Sequence, residues 1–139
     1  VIFVSKMPHE KFIQLLVLAD AILDNPYVSG VTSCIEAFGV GAPIVAWPGE
    51  YCSGRCVTAC YKQMGLSDLI ATDEESFLKL ALRLAKDGEF KLRMQSEIDA
   101  NSHKLYERHE AVREIESFFL SAYEARKTRR TPVKYLTKS

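Results

Sequence analysis

"AILDNPYVSGVTSCIEAFGVGAPIVAW", residues 21 to 47, decides the fold. Apolar Ala21-Ile22-Leu23 breaks at Asp24-Asn25-Pro26, and the chain turns at Gly30. Apolar residues then recur at helical spacing over 32–40, Gly41-Ala42-Pro43 stops that run, and Ile44-Val45-Ala46-Trp47 closes the stretch. Short, wholly apolar runs bounded by turn residues read as buried strands of a parallel sheet, and a helix is the usual crossover between two of them.

The same alternation continues on either side. Residues 1–4, Val-Ile-Phe-Val, read as another strand, and 8–18 as a helix that opens with proline in its first turn. After Pro48-Gly49 a helix is expected over 53–64, halted by Gly65, followed by a short extended piece at Asp68-Leu69-Ile70. Strands alternating with helices imply an α/β fold, a Rossmann-like doubly wound parallel sheet in which residues 1–4, 21–23 and 44–47 are neighbours. Beyond Thr72 only helices are expected: 73–86 behind an acidic first turn, 90–105, and 110–126 with Val112, Ile115, Phe119 and Tyr123 along one stripe. The expected organisation is a partial Rossmann-like lobe over 1–86, C-terminal helices packing on it over 87–126, and a basic tail over 127–139, read as solvated.

Composition narrows the function. The chain has 139 residues, enough for one domain with a core, and 18 basic side chains balance 18 acidic ones. No charge excess points to nucleic acid, and no apolar run approaches the ~18 residues of a membrane span. The expected location is the cytoplasm, with the nucleus also open. A strand-like start without an initiator methionine suggests a piece of a longer chain.

Four cysteines, Cys34, Cys52, Cys56 and Cys60, do not make a secreted disulfide framework, so reducing surroundings are expected. Cys52, Cys56 and Cys60 recur every four residues and would share one helix face. Zinc favours CxxC knuckles or nearby histidines, and His9, His103 and His109 are distant in sequence. Free, buried thiols and no metal are the expectation.

Chemistry belongs at the carboxyl ends of the strands, beside helix N-termini. Gly30 permits close approach, while Thr32, Ser33 and the free N–H groups of the first turn suit phosphate oxygens. Glu36, one turn later, suits the two hydroxyls of a ribose. Ser33-Cys34-Ile35-Glu36 also has the form of a capping box, in which Ser33 and Glu36 serve only the helix end. Both readings stand on local sequence.

A longer ordered set of residues adds to this. Leu18-Ala19-Asp20, Leu23-Asp24, Pro26, Gly30-Val31-Thr32-Ser33, Gly41-Ala42-Pro43-Ile44-Val45, Pro48-Gly49-Glu50 with Arg55, and Gly65-Leu66 with Asp68-Leu69-Ile70 follow one another in the order seen in one group of enzymes. The chain resembles the donor-binding C-terminal lobe of a GT-B glycosyltransferase, of the type of the protein O-GlcNAc transferases, their SPINDLY-like relatives and bacterial cytoplasmic glucosyltransferases. The likeness runs from Val1 to about Leu84.

The resemblance implies a sugar, GlcNAc or a similar hexose, moved with inversion from a UDP-sugar to protein serine or threonine. It implies a nucleotide sugar as substrate, no metal cofactor, and a protein acceptor reached through an N-terminal lobe. Carried over by position, Met7 and His9 meet the base, Gly30, Thr32 and Ser33 the diphosphate, and Glu36 the ribose. No catalytic residue can be named. His9, Phe12 and Val31 depart from the lysine, histidine and histidine usual in the family. Those departures keep a second reading open, a non-catalytic GT-B remnant acting as a scaffold or partner-binding module. Arg55 is expected to pair with Glu50, and Trp47 and Tyr51 to pack in the core or loops.

Overall fold

The computed structural model describes residues 1–127, in two compact units, Val1–Tyr106 and a second from Glu107. The first contains α1 (His9–Leu18), β1 (Ile22–Leu23), α2 (Val31–Gly39), β2 (Ile44–Val45), a 3-10 turn at Cys52–Gly54, α3 (Cys56–Met64), α4 (Glu74–Lys86), α5 (Gly88–Asn101) and a 3-10 turn at Ser102–Leu105. In the second, α6 (His109–Lys127) leaves Val112, Ile115, Phe119 and Tyr123 exposed. The basic tail expected over 127–139 lies, from residue 128 on, outside the described residues.

The decisive stretch forms the expected parallel unit. β1 and β2 pair in parallel, Ile22 opposite Ile44 and Leu23 opposite Val45. Ala46 then makes a parallel bridge to Ile70, its N–H donating to the Leu69 carbonyl at 2.9 Å and its carbonyl accepting from Ala71 at 2.7 Å. The extended piece at residues 68–70 is thus the third, minimal line of the sheet. At Ile44 the line is completed by a side chain instead. The Tyr61 hydroxyl donates to the Ile44 carbonyl (2.7 Å) and accepts from the Ile44 N–H (3.0 Å). Both partners are buried, so the phenol satisfies two main-chain groups that would otherwise lack partners.

A doubly wound sheet is not formed among the described residues. Residues 1–4 take no strand and are exposed, Val1, Ile2 and Phe3 almost completely. β-branched and aromatic side chains favour a strand through packing on neighbouring strands, and here they have none. Helices therefore dominate the unit.

The core sits between β2 and the helices. Phe38 of α2 meets Tyr61 of α3 edge to face at 5.0 Å, and Leu84, Phe90, Met94 and Ile98 extend the apolar cluster through α4 and α5. Burying side chains of this size stabilises by ~1.5–3 kcal/mol each. α3 stops at Gly65, which adopts the left-handed conformation (φ 81°), as expected for a glycine C-cap. It begins at Cys56 rather than Ser53, because Cys52–Gly54 is wound as a 3-10 turn. The last expected helix of this unit divides likewise, into α5 and the 3-10 turn after it. No helix among the described residues is long and apolar enough to cross a membrane.

Candidate functional site

The site grows from the loop joining β1 to α2. Asp24, directly after β1, is buried and accepts a hydrogen bond from the Ser29 hydroxyl at 2.8 Å. Burial raises the Asp24 carboxyl above its usual range, and the Ser29 bond opposes that rise. The Asn25 side chain accepts from Tyr27 N–H, and Ser29 N–H donates to the Ser53 carbonyl at 2.7 Å. Together these bonds tie the loop at both ends.

Behind the loop, two glycines give the main chain room. A β-carbon on Gly49 or Gly54 would fall 1.7 or 1.9 Å from the Pro26 carbonyl oxygen, a distance no packing tolerates. Arg55 then braces the turn, donating to the carbonyls of Gly49 (2.6 Å) and Glu50 (2.7 Å). The expected Arg55–Glu50 partnership is therefore made to the Glu50 main chain and not to its carboxylate. Trp47 is half-buried against Phe77 (6.0 Å between ring centres), while Tyr51 is exposed.

α2 starts with Gly30 as its N-cap, and no side chain caps it. The capping box that Ser33 and Glu36 could form is therefore not made. With Val31 as first helical residue, Ser33 stands third, too far into the helix to be the cap, and Glu36 turns elsewhere. His9 Nε2 donates to Glu36 Oε1 at 2.8 Å, linking the first residue of α1 to the second turn of α2. Thr32 and Ser33 are exposed on the open helix end. Met7 is half-buried two residues ahead of His9. A cleft of about 300 Å³ runs along this end, lined in part by Phe12, Asp24, Gly30, Ser33 and Cys34.

The structure thus joins His9 to Glu36 and sets Gly30, Thr32 and Ser33 on the same helix terminus. The N–H groups of a first helical turn, backed by the dipole, favour an anion, and the two hydroxyls add donors. Sequence reading missed the Asp24–Ser29 pair, although an aspartate ending an apolar strand is a signal for it. It also missed Tyr61, whose partners come from a strand 17 residues away.

The cysteines regroup as well. Cys52 lies in the 3-10 turn, exposed, and leaves the face expected for it. Cys34 of α2 takes its place: its sulfur and those of Cys56 and Cys60 lie within 4.8 Å of one another. All four cysteines are free thiols. Within the trio, the contact between Cys34 and Cys60 draws the Cys60 thiol below the usual range and pushes Cys34 up.

Comparison with known proteins agrees with this architecture. A family model described as glycosyl transferase family 41 matches residues 1–113. The UDP-N-acetylglucosamine–peptide N-acetylglucosaminyltransferase of Caenorhabditis elegans is 26% identical over 98 residues, 70% of this chain and 8% of that protein. The probable SPINDLY enzyme of Petunia hybrida, named for the same reaction, is 34% identical over 71 residues, 50% of this chain and 8% of its own. A solved mutant of the Thermobaculum terrenum O-GlcNAc transferase superposes with a TM-score of 0.65 at 24% identity, over 80% of this chain and 23% of that one. At that identity the likeness speaks for the fold. The chain spans under a tenth of the length of these two curated relatives.

Proposed function

The chain belongs to glycosyl transferase family 41, and from that premise we propose that it is the donor-binding part of an enzyme moving GlcNAc or a similar hexose from a UDP-sugar to protein serine or threonine. The observation that carries this reading is the uncapped, exposed start of α2, with Glu36 one turn on and held at 2.8 Å by His9. In the proposed complex the diphosphate rests on the first-turn N–H groups and the hydroxyls of Thr32 and Ser33. Gly30 admits it closely. Glu36 exchanges His9 for the ribose hydroxyls, and His9 and Met7 face the base.

Charge develops on the departing diphosphate as the sugar bond breaks. A fixed helix terminus meets that charge without reorganising, which is how oriented dipoles stabilise a leaving group. This reading assigns no metal to the transfer step and no catalytic base to these residues. The acceptor reaches the sugar through another part of the enzyme, so this chain alone binds nucleotide and does not transfer. A cytoplasmic location belongs to the same proposal.

Phe12, lining the cleft, and Val31, exposed at the head of α2, favour a second reading. Both are apolar where the resemblance expects histidine. A lobe that has lost those donor contacts would serve as a scaffold.

Glu36→Gln and Ser33→Ala separate the two. Neither side chain caps α2, so melting temperature should barely move. Losing a charged hydrogen bond to ligand costs ~1.5–3 kcal/mol, so UDP affinity of Glu36→Gln, measured by calorimetry, should fall roughly 10- to 150-fold. Parent and variants binding UDP alike, or none binding at all, would give the scaffold reading the lead.

A further inference from the structure

Cys34, Cys56 and Cys60 come from two helices and bring three sulfurs together, Cys34 and Cys60 buried and Cys56 half-buried. Cys56 and Cys60 stand one turn apart on α3, and Cys34 reaches them from α2, its sulfur 3.8 Å from that of Cys56. Three sulfurs bound at ~2.3 Å to one ion stand about 3.8 Å apart in a tetrahedral site and about 4.0 Å apart around a planar three-coordinate ion. The trio, within 4.8 Å throughout, needs sulfur shifts of only about 1 Å or less to close on an ion. No backbone rearrangement is called for.

We propose that Cys34, Cys56 and Cys60 form a tris-thiolate site for one soft cation, zinc or copper(I). This departs from the expectation of no metal, which rested on Cys52, Cys56 and Cys60 and on the remoteness of the histidines. Thiolate sulfur selects soft or borderline ions and rejects magnesium and calcium. The site is therefore separate in chemistry from the oxygen-rich diphosphate and does not depend on the donor-binding reading. Cys34 lines the same cleft as Asp24, which gives the ion a route in past a carboxyl group. On binding, the thiol protons leave to solvent and three metal–sulfur bonds form, with no change of oxidation state. A divalent ion then carries net charge −1 with its thiolates, and a cleft water fills the fourth position, as in three-ligand zinc sites.

Cadmium is the probe. Added to the reduced, full chain without oxygen, it should give a thiolate-to-cadmium charge-transfer band that saturates at one equivalent with the intensity of three thiolates. Cys34→Ser, Cys56→Ser and Cys60→Ser should each weaken binding by more than the roughly 10–100-fold that outer-shell changes cost, and Cys52→Ser should leave it unchanged. If a serine variant fails to fold, the unmutated chain still decides: one retained cadmium in native mass spectrometry and a melting temperature raised by zinc but not by magnesium support the site. No band, a two-thiolate intensity, or a band that survives Cys34→Ser and vanishes in Cys52→Ser would overturn it. Competition between zinc and copper(I) then identifies the preferred ion.

Discussion

At the start of α4, Asp73 accepts from the Ser76 N–H at 2.7 Å while the Ser76 hydroxyl accepts from the Asp73 N–H at 3.1 Å, so the helix end is closed on itself. At the start of α2, Gly30 offers no side chain, and the two hydroxyl residues that follow face solvent. Both ends carry the same partial positive charge and the same unpaired N–H groups. One spends them internally and the other leaves them for something else. An open helix end is less stable by itself, so its geometry must come from elsewhere, here from the loop packed through Pro26, Gly49 and Gly54.

That dependence on packing gives the largest expected effect. Gly54→Ala puts a β-carbon onto the Pro26 carbonyl and should cost ~1–3 kcal/mol or more, read as a lowered denaturant midpoint. Gly88→Ala, in the first turn of α5 with open space around it, should instead leave stability unchanged or raise it by up to ~1 kcal/mol. Equal effects at the two glycines would show that the α2 loop is not held by close main-chain contact.

Gly30→Asp converts the α2 end into the α4 kind. The backbone at Gly30 has negative φ, and an added β-carbon would meet Ser33 only at ordinary contact distance, 3.6 Å. Stability should change by a few tenths of a kcal/mol, since aspartate and glycine differ little as caps. UDP affinity should fall at least tenfold, because the new carboxylate occupies the N–H groups and repels the diphosphate. Retained affinity would remove the α2 terminus from the proposed donor site.

The smallest effect is expected at α4. Asp73→Ala should lower the melting temperature modestly and leave UDP binding as it was. The bond from Ser76 N–H holds the Asp73 carboxyl below its ordinary 3.8. A depressed folded-state value means that its contribution is present above the unfolded value and drains away as pH falls through the lowered one. Parent and Asp73→Ala should therefore differ most at neutral pH, and the difference should begin to shrink as pH falls past about 3.8 and vanish below the lowered folded value. A difference independent of pH would mean that the cap does not act through its charge.

The sequence made some of this legible. Ile22-Leu23 and Ile44-Val45 were readable because turn residues bound each apolar run and a helical run joins them. Val1-Ile2-Phe3-Val4 carries the same signal, yet strand formation needs a neighbour, and a composition rule cannot supply one. Between the capping box and an open helix end, local sequence could not choose, because the choice is one of register: only the observed start at Val31 puts Ser33 inside the helix. Spacing by four put Cys52 on a helix face, but Cys52–Gly54 winds a 3-10 turn before α3 begins. Cys34, 22 residues from Cys56, joined the trio through packing of α2 on α3, which no local spacing reveals. The 2.8 Å approach of His9 to Glu36 spans 27 residues and is likewise a tertiary fact, and only the resemblance had named both positions for one ligand.

The phenol of Tyr61 has a consequence for how this sheet meets other chains. An exposed flank of a strand is a template on which foreign strands add, and proteins guard such flanks with charges, prolines or covering loops. Beside Ile44 the guard is a buried aromatic ring that uses up both the donor and the acceptor a newcomer would need. A stray β-segment could pair there only by first levering the ring out of its contact with Phe38. Resistance to edge-to-edge aggregation on that side is thus built into the same side chain that packs the core.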